Sequence, residues 1–154
     1  MGRITDWIFS LPSISSTDSA SEPQSKAEQG DAEAQSPVIR MVNLIVAEAV
    51  DQGASYIHIE PTKTSLQIRH RVDGLLRKTM DLPEWVQVAV INRVKIMASM
   101  DIAEKRLPQD GRISARVGER SLDLKVSTVP TFYGESVVIQ ILDSANATSP
   151  KERA

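Results

Sequence analysis

The fold of this chain is decided by one stretch, Leu66-Gln67-Ile68-Arg69-His70-Arg71-Val72-Asp73-Gly74, in which apolar and polar residues alternate before a turn. Leu66, Ile68, His70 and Val72 fall on one side, while the other side carries polar residues. Such alternation predicts a strand with one buried and one solvated face. Because Asp-Gly is a strong hairpin signal, a return strand is expected over 75–82, in an antiparallel sheet.

Helical and strand-like patterns flank this hairpin. Ser36 and Pro37 suit the cap and first position of a helix, and Gly53 suits its end. A second helix is predicted over about 84–100. The apolar positions of the two helices are Val38, Met41, Val42, Ile45, Ala49, Val86, Val90, Val94 and Met97. Further strands are predicted over 56–60, 112–117, 121–127 and 136–142. This order of elements indicates the α+β class, with a mostly antiparallel sheet of about six strands flanked by helices.

Composition divides the chain into three parts. Residues 36–143 form the predicted folded domain, and residues 144–154 a loose polar tail. Residues 1–35 are expected to be a disordered N-terminal tail, a flexible Ser/Glu-rich linker preceded by a short apolar helix over 1–11. That helix would place Ile4, Trp7, Ile8 and Leu11 on one stripe. It would either dock on a partner or a membrane surface, or be a frayed terminus.

The overall composition excludes several classes of protein. The chain has 154 residues, of which 41% are hydrophobic and 25% charged, as in an ordinary globular protein. A net charge of −2 argues against a nucleic-acid partner. Without cysteine there are no disulfides or thiolate metal sites. No apolar run approaches the roughly 18 residues of a membrane span, and the start lacks a signal-peptide core. A cytoplasmic protein without a transmembrane segment is therefore predicted.

A second stretch, Asp101-Ile102-Ala103-Glu104-Lys105-Arg106-Leu107-Pro108-Gln109-Asp110-Gly111-Arg112, resembles a signature of the type II secretion and type IV pilus-assembly motor ATPases. The resemblance extends over 36–143, and its other blocks occur in the family's order. They are Ala54 to Pro61, Arg71 to Gly74, Arg93 to Ala98, and Val126 to Thr131 with Gly134-Glu135. It implies the PAS-like domain that precedes the family's motor domain and packs on it in a hexameric ring. In the family, arginines of this domain reach the γ-phosphate of ATP.

Three positions depart from the family pattern. The two phosphate-contacting arginines align with Lys125 and Gln140, and Tyr56 stands where the family usually has aspartate. Lysine offers phosphate a point charge instead of the bidentate fork of arginine. No glycine in the chain is followed by lysine, so the Walker A loop is lacking. We therefore expect a protein that is not an enzyme and has no catalytic residues and no cofactor. ATP would be a ligand only together with a motor domain.

These features predict a non-catalytic binding or regulatory module that associates with a secretion or pilus motor ATPase or its platform proteins. It would lie in the cytoplasm or peripherally at the inner membrane. The candidate interface residues are Arg69, Arg71, Arg106 and Arg112, although the solvated side of a half-buried sheet explains the first two equally well. Two alternatives stay open: a truncated fragment of a hexameric secretion ATPase, and a PAS-type small-ligand sensor.

One further pair of residues could bind a metal ion. His58 and Glu60 share one face of a predicted strand. Two ligands without a third are weak evidence for a metal ion, so the sequence favours a surface His–Glu pair and no metal.

Overall fold

The computed structural model describes residues 7–9 and 36–143. In chain order the elements are β1 (Trp7–Phe9), α1 (Pro37–Asp51), β2 (Tyr56–Pro61), β3 (Ser65–Val72), β4 (Leu75–Pro83), a 3₁₀ turn (Glu84–Val86), α2 (Gln87–Met97), β5 (Gln109–Val117), β6 (Arg120–Thr131) and β7 (Gly134–Asp143). The strands form one antiparallel sheet in the order β1-β5-β6-β7-β2-β3-β4. The predicted α+β fold is confirmed, with six strands between Tyr56 and Asp143 and two helices.

Both helices pack on the same face of the sheet. Burial alternates residue by residue along β2, β3, β6 and β7, as a strand with one covered face requires. The buried strand residues and the apolar stripes of the helices form one core, in which Ile45, Val90 and Leu124 are fully enclosed. The opposite face of the sheet carries no helix of the described residues.

Helix α1 begins and ends largely as its sequence predicts. Ser36 is the N-cap residue and Pro37 the first helical residue, as predicted, but the Ser36 side chain makes no capping hydrogen bond. The Ser36 carbonyl accepts the first helical bond, from Arg40 N–H, at 3.1 Å. At the other end Gly53 has φ +71°, and Ala54 N–H donates to the Ala49 carbonyl at 2.8 Å. This left-handed glycine stop is the Schellman motif.

Helix α2 is shorter than the predicted 84–100. Its first turn is 3₁₀, and it stops at Met97 because Ser99 takes a left-handed conformation with φ +57°. Ser99 N–H then donates to the Ile96 carbonyl, and Met100 N–H to the Lys95 carbonyl. Serine is not a residue that typically ends a helix, so the apolar periodicity of the sequence predicted an end beyond Met97.

The predicted Asp73-Gly74 hairpin turn is confirmed. Asp73 and Gly74 have φ +52° and +79°, which is the type I′ geometry that Asp-Gly favours. Gly118, with φ +60°, joins β5 to β6 in a two-residue turn with Glu119. Both turns lie at one end of the sheet, and the β6–β7 hairpin lies at the other.

The N-terminal helix predicted over 1–11 is wrong at residues 7–9. Trp7 to Phe9 instead pair as β1 with the outer edge of β5, with Ile8 opposite Arg116. A helix this short is marginal alone, whereas an edge strand offers unpaired backbone groups, and Trp, Ile and Phe favour strands. The predicted linker and the tail at 144–154 lie outside the described residues.

His70 gives the fold a pH dependence. Its side chain is fully buried under α1, where Nδ1 lies 3.1 Å from Gln52 Oε1. Burial lowers the pKa of His70 below its usual 6.5, and Glu48 opposes this only in part. The unfolded chain therefore takes up this proton at a higher pH than the folded chain does.

We expect the free energy of unfolding to be constant above pH 6.5 with respect to this group, and to decrease as pH falls through 6.5 toward the folded pKa. Urea unfolding between pH 7.5 and 5 measures it. His58 is the chain's other histidine, so the comparison is His58→Gln against His58→Gln/His70→Leu. The free energy of unfolding of the second protein should depend less on pH. Equal slopes in the two proteins would contradict the assignment of this pH dependence to His70.

Candidate functional site

A row of polar side chains crosses the open face of the sheet. The strand register places Arg112 opposite Lys125, Lys125 opposite Gln140, Gln140 opposite Tyr56, and Tyr56 opposite Arg71. The five residues are exposed or half-buried and span five neighbouring strands. Directly opposed residues have Cβ atoms about 5 Å apart. This cation row holds three positive charges and no acid.

The three residues at which the sequence analysis expects a departure from the family pattern fall side by side in the cation row. Lys125, Gln140 and Tyr56 are consecutive neighbours on β6, β7 and β2. Gln140 lies 15 residues after Lys125 in the sequence and Tyr56 lies 69 residues before it, yet in the sheet the three form one continuous patch. The sequence alone cannot show that they are neighbours, because this depends on the strand order.

A second row runs beside the first and is more nearly neutral. It contains Asp110, Ser127, Val138, His58 and Arg69, in that order across the sheet. The Ser127 hydroxyl donates to Asp110 Oδ1 at 2.7 Å. Arg69 donates to Gln67 Oε1 at 3.0 Å, and its Nη1 lies 4.0 Å from Glu60 Oε2. Arg69 is therefore partly neutralised, unlike the cations of the first row.

His58 lies near one carboxylate, that of Glu60, and near two guanidinium groups, those of Arg69 and Arg71. Its Nδ1 lies 3.8 Å from Glu60 Oε1. Partial burial lowers the pKa of His58, Glu60 raises it, and Arg71 and Arg69 lower it further. The imidazole is therefore neutral at pH 7 and adds no charge to the face. Across the described residues, no three His, Asp or Glu side chains come together as a metal ion would require.

The segment from Asp101 to Pro108, here called the signature loop, is folded by its own side chains. Gln109 Nε2 donates to the Asp101 carbonyl at 2.9 Å, and Asp101 N–H donates back to Gln109 Oε1 at 2.9 Å. Glu104 Oε1 accepts from the N–H groups of Arg106 and Leu107. A Cβ at position 111 would overlap the Ala98 carbonyl, so Gly111 lets β5 pass close under the end of α2.

A buried ion pair fixes this loop to the domain. Lys95 on α2 is 0% exposed and Glu135 on β7 is 7% exposed, and Nζ lies 2.7 Å from Glu135 Oε1. The same ammonium donates to the Glu104 carbonyl at 2.6 Å. One lysine therefore joins helix, sheet and signature loop. Sequence reasoning missed its role, although Lys95 and Glu135 both lie in blocks that carry the family resemblance.

The structure separates the candidate interface arginines. Arg71 and Arg112 belong to the cation row, and Arg69 lies in the second row. Arg106 is exposed in the signature loop, before β5 begins. Three cations with an amide and a phenol beside them can hold an anionic group, either phosphate oxygens or carboxylates.

An antiparallel sheet with both helices on one face is the architecture expected of a PAS-like domain. Comparison with known proteins gives its family. The family model described as type II/IV secretion system protein matches residues 31–152. The chain belongs to this family.

Several relatives share this region. The type II secretion system protein E of Xanthomonas campestris is 55% identical over 113 residues, which cover 73% of this chain and 20% of that protein. The type II secretion system ATPase E of Vibrio cholerae is 43% identical over 148 residues, which cover 96% of this chain and 28% of that protein. The type II secretion system protein HxcR of Pseudomonas aeruginosa is 53% identical over a region that covers 70% of this chain and 23% of that protein. The chain thus spans about a quarter of these relatives' length. Of the helices described here, none has the length and hydrophobicity that crossing a membrane requires.

Replacing Lys95 by Met should lower the free energy of unfolding by about 3 kcal/mol or more, because it leaves the buried Glu135 carboxylate without its partner. Urea denaturation at pH 7 measures this loss. The double variant Lys95→Met/Glu135→Leu should regain part of it, since no unpaired charge remains. Lys105→Met, in the exposed part of the same loop, is the control and should stay within about 0.5 kcal/mol. A Lys95→Met variant as stable as this control would contradict the role of the ion pair.

Proposed function

We propose that this chain is a non-catalytic binding module that docks the open face of its sheet on a secretion motor ATPase or on a protein of that motor's platform. The observation that carries the proposal is the cation row. Its centre is formed by Lys125, Gln140 and Tyr56, at which we expect a departure from the family pattern, and its ends by Arg112 and Arg71.

The chemistry at the centre of the row favours docking over catalysis. Lys125 keeps a positive charge, but its ammonium lacks the planar fork that clamps two phosphate oxygens. Gln140 adds a neutral amide donor. Stabilising the charge that develops during phosphoryl transfer depends on guanidinium groups or metal ions placed against it. A lysine and an amide can bind an anionic surface without giving that stabilisation.

The open face also suits a protein partner by its composition. Tyr56 and Arg71 are residue types enriched at interfaces, and Tyr56 is half-buried between Gln140 and Arg71. A partner that presents carboxylates or a bound phosphate to this row would be steered to it by charge. The module would act in the cytoplasm, where it would meet the motor at the inner membrane.

Charge reversal within the row should weaken docking. We expect Arg112→Glu/Lys125→Glu to weaken binding to the purified type II secretion ATPase of the same organism by tenfold or more, because like charges would then face each other across the contact. Biolayer interferometry at two salt concentrations measures the affinity.

The matched control is Arg40→Glu, on the exposed side of α1 and therefore on the opposite face of the domain. It should bind as the unchanged chain does. The proposal fails if the unchanged chain does not bind the ATPase or the platform proteins, or if Arg40→Glu weakens binding as much as the double variant. It fails as well if the chain alone hydrolyses ATP and Lys125→Ala removes that activity.

A second candidate function is supported by the lengths of the relatives. Because the chain covers 20–28% of the three proteins compared above, it is also consistent with a segment of a complete motor ATPase. The length of the native reading frame separates the two: a frame that continues into a Walker domain supports the segment, and one that stops near Ala154 supports the free module. The small-ligand sensor stays an untested prediction, for which a ligand-dependent rise in melting temperature would be the sign.

A further inference from the structure

The two sides of the sheet end in strands of different character. On one side lies β4, whose pairing with β3 shifts next to Ile68 and leaves Thr79 as a bulge, and whose Arg77 and Lys78 are exposed. A bulge and exposed cations keep an edge strand from pairing with another chain. On the other side β5 makes nine consecutive pairs with β6 and has no bulge. The outer side of β5 is therefore regular enough to accept a further strand.

Strand β1 occupies only part of that outer side. Trp7–Phe9 pair with residues 115–117, and no other described residue pairs with the outer side of β5. If the same register continued, position 12 would come opposite Arg112. Position 12 is proline, which cannot donate a hydrogen bond to a ladder. The chain's own segment is therefore poorly suited to cover the whole of β5.

The pairing of β1 is weak for a strand of this sheet. Residues 10–36 separate it from α1, so its pairing closes a long loop at a cost in entropy. Three residues gain few backbone hydrogen bonds against that cost. Elements near a chain terminus with few contacts open at a small fraction of the global stability. Of the described strands, β1 is therefore the one that is released most easily.

The residues of β5 indicate what could replace β1. Arg112 is exposed on the open face, where it forms one end of the cation row beside Lys125. Among the described residues, no carboxylate forms an ion pair with Arg112. An acidic residue directly opposite Arg112 on an added strand would be attracted by both cations. Ile113 and Ala115 are buried on the helix-covered side, so apolar residues suit the positions opposite them.

We propose that the outer side of β5 is a strand-accepting site, that β1 is its displaceable internal occupant, and that an extended segment of the docking partner takes its place. Such strand addition obtains affinity from main-chain hydrogen bonds and specificity from alternate side chains. The segment has apolar residues opposite Ile113 and Ala115, an acidic residue opposite Arg112, and no proline. That the partner is a secretion motor ATPase or a platform protein rests on the proposed function.

A fluorescein-labelled peptide of residues 4–11 tests the site without any partner. In the full chain, Ile8→Pro/Phe9→Pro disables β1, because the N–H groups of successive strand residues point to opposite sides and one of the two prolines must remove a ladder donor. The peptide should bind this variant with a dissociation constant of about 100 µM or lower, and the unchanged chain about tenfold more weakly, because the tether holds β1 at an effective concentration of order 1 mM. Fluorescence anisotropy measures both constants.

Two matched controls accompany the peptide. A peptide that carries the same two prolines should bind neither chain. The chain variant Ser15→Pro/Ser16→Pro, changed between β1 and α1, should bind the original peptide as the unchanged chain does. Circular dichroism checks that each variant is folded.

A disulfide tests whether the partner needs β1 to leave. The chain has no cysteine, and Ile8 lies directly opposite Arg116. Opposed residues of an antiparallel pair have Cα atoms about 4.5–5.5 Å apart, which a disulfide can bridge. Oxidised Ile8→Cys/Arg116→Cys should bind the purified secretion ATPase about tenfold more weakly than the reduced form. The control Gln67→Cys/Asp81→Cys joins β3 to β4 and should bind equally in both states.

The outcomes separate this proposal from the proposed function. A peptide that binds the proline variant no better than the unchanged chain would overturn the strand-accepting site, whatever the partner does. Equal binding of the ATPase by the oxidised and reduced chains would overturn the replacement of β1 by a partner segment. If the peptide behaves as expected but neither the ATPase nor a platform protein binds any form of the chain, the site is supported and the proposed function fails.

Discussion

Helices cover only one face of the sheet, and the other features of this domain depend on that one-sided burial. Each strand must place apolar residues under α1 and α2 and polar residues on the open face, because successive side chains of a strand point to opposite sides. A shift of one residue in any strand would exchange the two sets. The register that encloses Ile57, Leu124 and Ile139 therefore also places Tyr56, Lys125 and Gln140 side by side on the open face.

The buried Lys95 ammonium joins a helix, a strand and a loop of this domain. It ties α2 to β7 through Glu135 and holds the signature loop through the Glu104 carbonyl. An unpaired buried charge costs far more than a surface ion pair gains, so the contacts of Lys95 resist opening of the loop at Glu104. Arg106 and Leu107 follow this anchored position and are exposed.

Much of this domain follows from local sequence patterns, and the rest depends on contacts between distant residues. Alternation from Leu66 and the Asp73-Gly74 turn predict the central hairpin, and periodicity predicts the buried faces of both helices. The pairing of residues 7–9 with β5 depends on an edge that only the assembled sheet provides. Ser99 ends α2 without a stop signal. The Lys95–Glu135 pair looks like two surface charges in the sequence, and the cation row requires the strand order to be known.

The central claim is that the open face, and not the helix-covered face, meets the secretion motor. The most direct measurement is residue-specific line broadening of amide signals in the ¹⁵N-labelled chain as purified secretion ATPase is added. Exchange between the free and bound chemical shifts broadens the signals of contact residues first, before slow tumbling of the complex broadens the rest. The account predicts early loss of the signals of Tyr56, Arg71, Arg112, Lys125 and Gln140, with α1 affected last. Broadening that begins on the exposed side of α1 and spares these strands would contradict it.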